Sequence, residues 1–171
     1  MVETLADVRG LFNGLTALES IAQSRYNLSD RRRPKLSEKN MEEWPRFKPL
    51  ILGELPVQHL RRFGLNLQPG PVGFSIPAQK HAFKSHPDSF MSCLPFLTQT
   101  VARPTHVGQS PKHTNDGLEL IREVRQLDLI LLVALLIRPT RQGVYMVKST
   151  YPIDRNKLEN RLRKGHLIET Q

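Results

Sequence analysis

The apolar run Leu129–Ile137 is the feature that most constrains how this chain can fold. It contains nine consecutive apolar residues, whereas a helix that spans a membrane needs about twenty. Both alternating faces of the run are apolar, which is typical of a central β-strand covered on each side. We therefore expect a buried strand here, covered at least partly by helices, and no insertion into a membrane.

Three further segments have the residue types and the flanking turns of strands. These strand candidates are Thr105–Gln109, Leu118–Arg125 and Val144–Tyr151. Pro, Asn, Asp and Gly residues separate them, so together with Leu129–Ile137 they predict an antiparallel sheet. A shorter strand is expected at Phe74–Ile76.

Helical signals occur on both sides of these strands. Helices are expected at Pro56–Phe63, Ala78–His86, Asp88–Val101 and Asp154–Lys164. Pro77 suits a first helical position, Asp154 suits an N-cap, and Gly165 suits the position just past a helix end. Helices combined with an antiparallel sheet predict the α+β class.

The first fifty residues differ from the rest in their pattern of apolar, basic and proline residues. Apolar residues at helical spacing predict an amphipathic helix over Leu5–Ala22. The stretch Asn27–Pro49 carries a basic cluster and is broken by prolines, which is typical of an irregular arm. We therefore divide the chain into residues 1–49, an N-terminal helix with a basic arm, and residues 50–171, a folded domain.

The charge balance indicates a class of partner. The chain of 171 residues has 25 Lys+Arg against 16 Asp+Glu, a formal net charge of +9. Such an excess favours binding to nucleic acid. No basic region followed by an apolar stretch opens the chain, so we expect no classical signal peptide, action in the cytoplasm, and a specialised route if the protein is delivered into another cell. The single cysteine, Cys93, lies among apolar residues and is expected in the core.

The segment Lys80–His86 is the densest group of residues that could carry chemistry. On a helix, Lys80 and Lys84 are neighbours at i,i+4, and His81 and Lys84 are neighbours at i,i+3. Cleavage of RNA without a metal needs a base, an acid and fixed positive charge at the phosphate. Histidine titrates near neutrality and lysine stays charged, so the residue types suit both needs. The alternative interpretation is a solvated basic helix face.

A second group lies on the strand Val144–Tyr151. Strict alternation would put Tyr145, Val147, Ser149 and Tyr151 on one face and Met146, Lys148 and Thr150 on the other. Hydroxyl groups could hold a phosphate, and a tyrosine ring could stack an unpaired base. Arg138, Arg141 and Lys148 would add phosphate contacts. The alternative interpretation is ordinary strand-edge and turn chemistry.

A succession of short motifs over residues 50–168 resembles a known family. The motifs are Ile51–Pro56, Lys80-His81 with His86-Pro87, Leu94–Leu97 leading to Arg103-Pro104, Val147–Pro152, and Leu158–Gly165. In this order they are similar to the phage-associated members of the barnase, EndoU, colicin and RelE-like (BECR) nuclease superfamily. Ser85 departs from the pattern, because a basic residue is expected before His-Pro.

The resemblance implies a fold of two helices packed on a four-stranded antiparallel sheet, to which this chain would add an N-terminal and a C-terminal helix. It also implies a metal-independent ribonuclease that acts as a toxin, often with a protein inhibitor. The functional positions implied are His81 and His86 with a lysine on the first helix, and Ser149, Thr150 or Tyr151 on the last strand.

These observations together predict a toxin-like endoribonuclease that needs no metal or cofactor and leaves 2',3'-cyclic phosphate ends. The expected catalytic residues are His81, His86, Lys84, Ser149, Thr150 and Tyr151, and the expected substrate-binding residues are Lys80, Arg138, Arg141 and Lys148. The partners would be RNA, with tRNA, ribosomal RNA and messenger RNA all left open as the target, and an inhibitor or immunity protein. Two alternatives use the same fold: a non-catalytic RNA-binding module, and an effector whose N-terminal helix docks on a larger assembly.

Overall fold

The computed structural model describes residues 46–111 and 116–170. All of them belong to one compact unit, Glu43–Gln171. The helix expected at Leu5–Ala22 and the arm up to residue 45 lie outside the described residues.

The described residues form five α-helices and seven strands. In chain order they are β1 (Leu50–Glu54), α1 (Val57–Arg62), β2 (Pro71–Phe74), α2 (Ile76–Ser85), α3 (Pro87–Cys93), α4 (Leu97–Ala102), β3 (His106–Gln109), β4 (Gly117–Val124), β5 (Leu129–Leu136), β6 (Tyr145–Ile153), α5 (Arg155–Arg163) and β7 (Leu167–Glu169). Turns of 3-10 helix connect α3 to α4 and β4 to β5.

The strands form one sheet in the order β1-β2-β6-β5-β4-β3-β7. All neighbouring strands run antiparallel except β2 and β6, which are parallel through the pairs Val72–Tyr145 and Gly73–Met146. The α+β class is therefore confirmed. The expected four-stranded antiparallel sheet with two helices is wrong, because three short strands extend the sheet to seven and make it mixed.

The three additional strands are short and carry weak sequence signals. β1 has a register irregularity between Ile51 and Gly53, where Gly53 takes a φ of 127°. β2 contains Pro71 and Gly73 and shares only Phe74 with the strand expected at Phe74–Ile76, whose bounds are wrong because Ser75 caps α2 and Ile76 begins it. β7 is only three residues long. Such segments are stabilised by partners that are distant in sequence rather than by their own propensity.

Local chemistry explains where α5 begins and ends and why a longer predicted helix is interrupted. The Asp154 side chain accepts a hydrogen bond from the Lys157 backbone at 2.7 Å, and Gly165 follows α5 with a φ of 70°, which confirms both expected boundaries. The single helix expected at Asp88–Val101 is wrong. It is divided into α3 and α4 by the 3-10 turn that contains Pro95.

Apolar side chains of β5 pack on both faces of the sheet. Leu131, Val133 and Leu135 belong to a core that also contains residues of α2, α3 and α4. Ile130 and Leu132 belong to a second core that includes Leu158 of α5. Each fully buried side chain of this type contributes about 1.5–3 kcal/mol relative to an exposed one. The prediction of a central strand covered on each side is confirmed.

The four residues 46–49, which we call the strap, lie at the start of the described region and contact α2 and α3. The Phe47 ring lies edge-on to the rings of Phe83 and Phe90, with centroids 5.9 and 6.0 Å away. Aromatic pairs of this kind contribute about 0.5–1.5 kcal/mol beyond the area they bury. The end of the segment assigned from sequence to the arm therefore packs on the folded domain.

The pairing of β7 with β3 can be tested at Gly108. A β-carbon added there would collide with the carbonyl oxygen of His166 and lie 2.9 Å from the Leu167 Cα. We expect Gly108→Ala to lower the free energy of unfolding by about 1–3 kcal/mol, measured by urea denaturation. An unchanged unfolding midpoint would contradict the observed position of β7.

Candidate functional site

Helix α2 presents the predicted cationic group to solvent. Lys80, His81 and Lys84 are exposed, whereas Gln79 and Ala82 are buried against the sheet. The helical repeat places the exposed group on the side opposite Gln79 and Ala82. The α2 cationic face, as we call Lys80, His81 and Lys84, can therefore be reached by a phosphate backbone.

His86 occupies the corner between α2 and α3 and turns towards the sheet. Its backbone angles are not helical, with a φ of −143° and a ψ of 60°, because Pro87 follows it. Its ring is stacked on the Tyr151 ring of β6, with centroids 5.3 Å apart and an interplanar angle of 29°. Two predicted site residues that are 65 positions apart in sequence thus lie in contact, while His81 lies on the outer side of α2.

A β-bulge changes which side chains of β6 share a face. Leu135 pairs with Val147, but Ala134 pairs with Ser149, so Lys148 is the additional residue. The strict alternation expected over Val144–Tyr151 is therefore wrong: the bulge shifts the pattern by one residue, and Tyr145 and Val147 no longer share a face with Ser149 and Tyr151.

The three hydroxyl residues predicted at the end of β6 have different surroundings. The Thr150 hydroxyl is buried and donates to the Leu132 carbonyl at 3.0 Å, so it holds the sheet together. Ser149 is partly buried opposite Ala134, and Tyr151 is partly buried against His86. Of the three residues, only Ser149 and Tyr151 are partly exposed.

The predicted basic residues of this region lie in the middle of β6 and on the connection that precedes it. Lys148 is exposed and lines a shallow pocket with Ser110, Asp116 and Ala134. Arg138 and Arg141 are exposed on the segment that joins β5 to β6. These three cations can contact phosphates, but they are separated along the chain from the α2 cationic face.

A buried ion pair beside this pocket was not predicted from the sequence. The Glu119 carboxylate of β4 lies 3.2 Å from Nε and 3.4 Å from Nη2 of Arg161 on α5. Burial raises the pKa of Glu119, against the lowering influence of Arg161 and of a hydrogen bond with Ser110. The sequence signal was an acidic residue inside the apolar run Leu118–Ile121. Since Glu119 and Ser149 both pair with Ala134, their backbones are about 10 Å apart.

The described part of the chain contains no metal-ligand cluster, no membrane-spanning helix and no reactive thiol. There, no group of three or more His, Cys, Asp and Glu residues could hold a metal ion, and no helix is long and apolar enough to cross a bilayer. Cys93 is fully buried, and burial raises its pKa to about 12. A thiol in that environment is a poor nucleophile.

A buried histidine on β3 makes folding depend on pH. His106 is 4% exposed and its Nδ1 lies 2.9 Å from the Thr105 hydroxyl. Burial lowers the pKa of His106, although Glu123 and Glu169 favour its charged form, while Arg155 opposes it. The folded protein therefore holds this ring neutral at pH values where the unfolded chain is already protonated.

We expect His106 to reduce stability as the pH falls below about 6.5, the ordinary histidine pKa. Each pH unit over which only the unfolded chain is protonated costs about 1.4 kcal/mol. Urea denaturation at pH 7.5 and 5.5 should show that the free energy of unfolding falls more for the wild type than for His106→Asn between the two pH values. Glu119 has the opposite effect on stability as the pH falls, because its raised pKa makes protonation more favourable in the folded state than in the unfolded chain. The variant is therefore compared with the wild type at each pH. Equal losses in both proteins would contradict the assignment.

The chain matches no protein-family model, no curated protein and no solved structure. The resemblance to the nuclease superfamily therefore rests on the short motifs quoted above and stays a prediction. The function that this site can perform has to be argued from the positions of its own residues.

Proposed function

We propose that this protein is a metal-independent endoribonuclease whose site lies at the corner between α2 and α3. The observation that carries the proposal is the contact between the His86 and Tyr151 rings, 5.3 Å apart, two residues from Ser149 on the same strand. An imidazole and a phenol are thereby in contact at the end of a helix that carries exposed cations, and a serine hydroxyl lies on the same strand as the phenol.

The proposed reaction is attack of the RNA 2'-hydroxyl on the adjacent phosphorus. A base removes the 2'-hydroxyl proton, the bond to the 5'-oxygen breaks, and an acid protonates that oxygen. The products are a 2',3'-cyclic phosphate and a free 5'-hydroxyl. His86 would perform one of the two proton transfers, since imidazole can accept or donate a proton near neutrality.

Substrate would be held by charge and by stacking. The α2 cationic face supplies two ammonium groups beside His81. Further cations are supplied by Lys148 in the middle of β6 and by Arg138 and Arg141 on the connection before its first residue. An unpaired base could stack on the Tyr151 ring, as single-stranded RNA does on aromatic side chains. This arrangement favours single-stranded segments of RNA.

Two roles of His81 in the proposed site predict different effects of its substitution. It was predicted as the complement of His86 in proton transfer, and its position on the outer side of α2 also suits a phosphate contact. A proton-transfer role predicts a large loss of turnover in His81→Ala, whereas a binding role predicts weaker binding of RNA with turnover retained.

A non-catalytic RNA-binding module is the second candidate. The specific observation in its favour is that the two histidines of the predicted acid–base pair lie on different sides of α2, while the Thr150 hydroxyl is engaged by the Leu132 carbonyl. Both candidates use the same cations, so product analysis rather than affinity separates them.

We expect His86→Ala to lower the rate of RNA cleavage by about 100-fold or more, as loss of a general acid or base does. The assay incubates the purified protein with total tRNA and ribosomal RNA in excess chelator and identifies cyclic-phosphate ends. His59→Ala on α1 is the matched control, because it removes an imidazole that lies outside the proposed site. Both variants are checked by circular dichroism.

Wild-type activity in folded His86→Ala would contradict the proposed site. Binding of RNA by the wild type without any cleavage would favour the RNA-binding module instead.

The α2 cationic face should also determine how binding depends on salt. For single-stranded RNA, the slope of log K against log salt concentration is negative, and each phosphate contact that is lost makes it less negative by about 0.7. We therefore expect Lys80→Gln with Lys84→Gln to make this slope less negative by about 1.4, measured by fluorescence anisotropy. Replacing Arg61 and Arg62 of α1 by Gln is the control, and an equal change in that protein would show that only net charge matters.

A further inference from the structure

Three aromatic rings meet at the corner where α2 turns into α3. Phe83 lies one helical turn before His86, Phe90 lies one turn after it, and their ring centroids are 5.8 Å apart. Phe47 of the strap completes the group, 5.9 Å from Phe83 and 6.0 Å from Phe90. Each of the three contacts is edge to face. The strap therefore contributes one ring to a cluster that brackets His86.

The backbone of the strap is also held in place. The side-chain amide nitrogen Nε2 of Gln79 donates to the Lys48 carbonyl at 2.6 Å and to the Phe74 carbonyl at 2.8 Å. Gln79 is 3% exposed and lies on the inner side of α2. A buried amide with both bonds made fixes its partners in register. The strap is thus joined to β2 and α2 as well as to the aromatic cluster.

We propose that the strap positions His86 against Tyr151, with Phe47 as the positioning residue. His86 has non-helical backbone angles and Pro87 supplies no backbone N–H, so helix geometry does not set the direction in which α3 leaves α2. Packing sets that direction instead, and Phe47 contacts one ring on each side of the corner. Removal of the Phe47 ring would let the two helices change their angle and move the imidazole from the tyrosine.

The consequence for catalysis rests on the proposed function. Movement of His86 would slow proton transfer, whereas the α2 cationic face lies on the other side of the helix and would keep its contacts with RNA. Loss of the strap should therefore lower kcat and leave KM nearly unchanged. A general loss of folding would not produce this separation.

The experiment uses the full chain with Phe47→Ala and two readouts that do not require cleavage. The first is the NMR signal of the His86 ring, which the Tyr151 ring current displaces. We expect this signal to move towards its position in Tyr151→Leu. The second is the labelling rate of Cys93, the only cysteine, which is buried at the end of α3. Easier opening of the corner should raise that rate about tenfold or more.

Three further variants separate positioning from general destabilisation. Phe47→Tyr keeps the ring and should restore both readouts. Phe63→Ala removes another partly buried ring of the same core, at the end of α1, and should leave the His86 signal in place. Phe47→Leu retains more apolar volume than Phe47→Ala and serves as the test variant if the alanine protein does not fold.

An unchanged His86 signal and an unchanged Cys93 labelling rate in a folded Phe47 variant would overturn the proposal. An equal displacement of the His86 signal by Phe63→Ala would overturn it as well. If the wild type does not cleave RNA, the ribonuclease proposal fails while these two readouts still decide the role of the strap.

Discussion

The burial of β5 on both faces is the constraint on which the rest of this structure depends. Its side chains contribute to the core beneath α2, α3 and α4 and to the second core beneath α5. A strand with no polar face has to be flanked by other strands and covered by other elements on both sides. The sheet order, with three strands on each side of β5, satisfies that requirement.

The position of β6 in the sheet determines where the candidate site lies. β2 pairs with only the first residues of β6, and the chain then continues from β2 into α2. The corner at His86 consequently lies near the later part of β6, where the imidazole stacks on the Tyr151 ring. The same corner is bracketed by the aromatic cluster that includes Phe47, so the site depends on the core and on the strap together.

Sequence reasoning succeeded where the signal was local. Strands β3 to β6, helices α1, α2 and α5, and the Asp154 cap were predicted close to their observed bounds, because hydrophobic periodicity and capping residues act within a few positions. It failed for β1 and β7, which are short, for the bounds of β2, and at Pro95, which divides a predicted helix. The bulge at Lys148 was also missed, since it is a mismatch between two strands and has no signature within either one.

For the site, the sequence by itself determined which chemical groups are present: imidazoles and ammonium groups within seven residues, and hydroxyls at the end of a strand. Only the tertiary structure decided which of them meet. It directs His86 inwards to Tyr151, leaves His81 on the outer side of α2, engages Thr150 with a backbone carbonyl and pairs Glu119 with Arg161. The physical reason is that residue types fix charge and reactivity, whereas contacts between distant segments depend on strand register and on the direction of a helix corner. Both are set by packing across the whole domain.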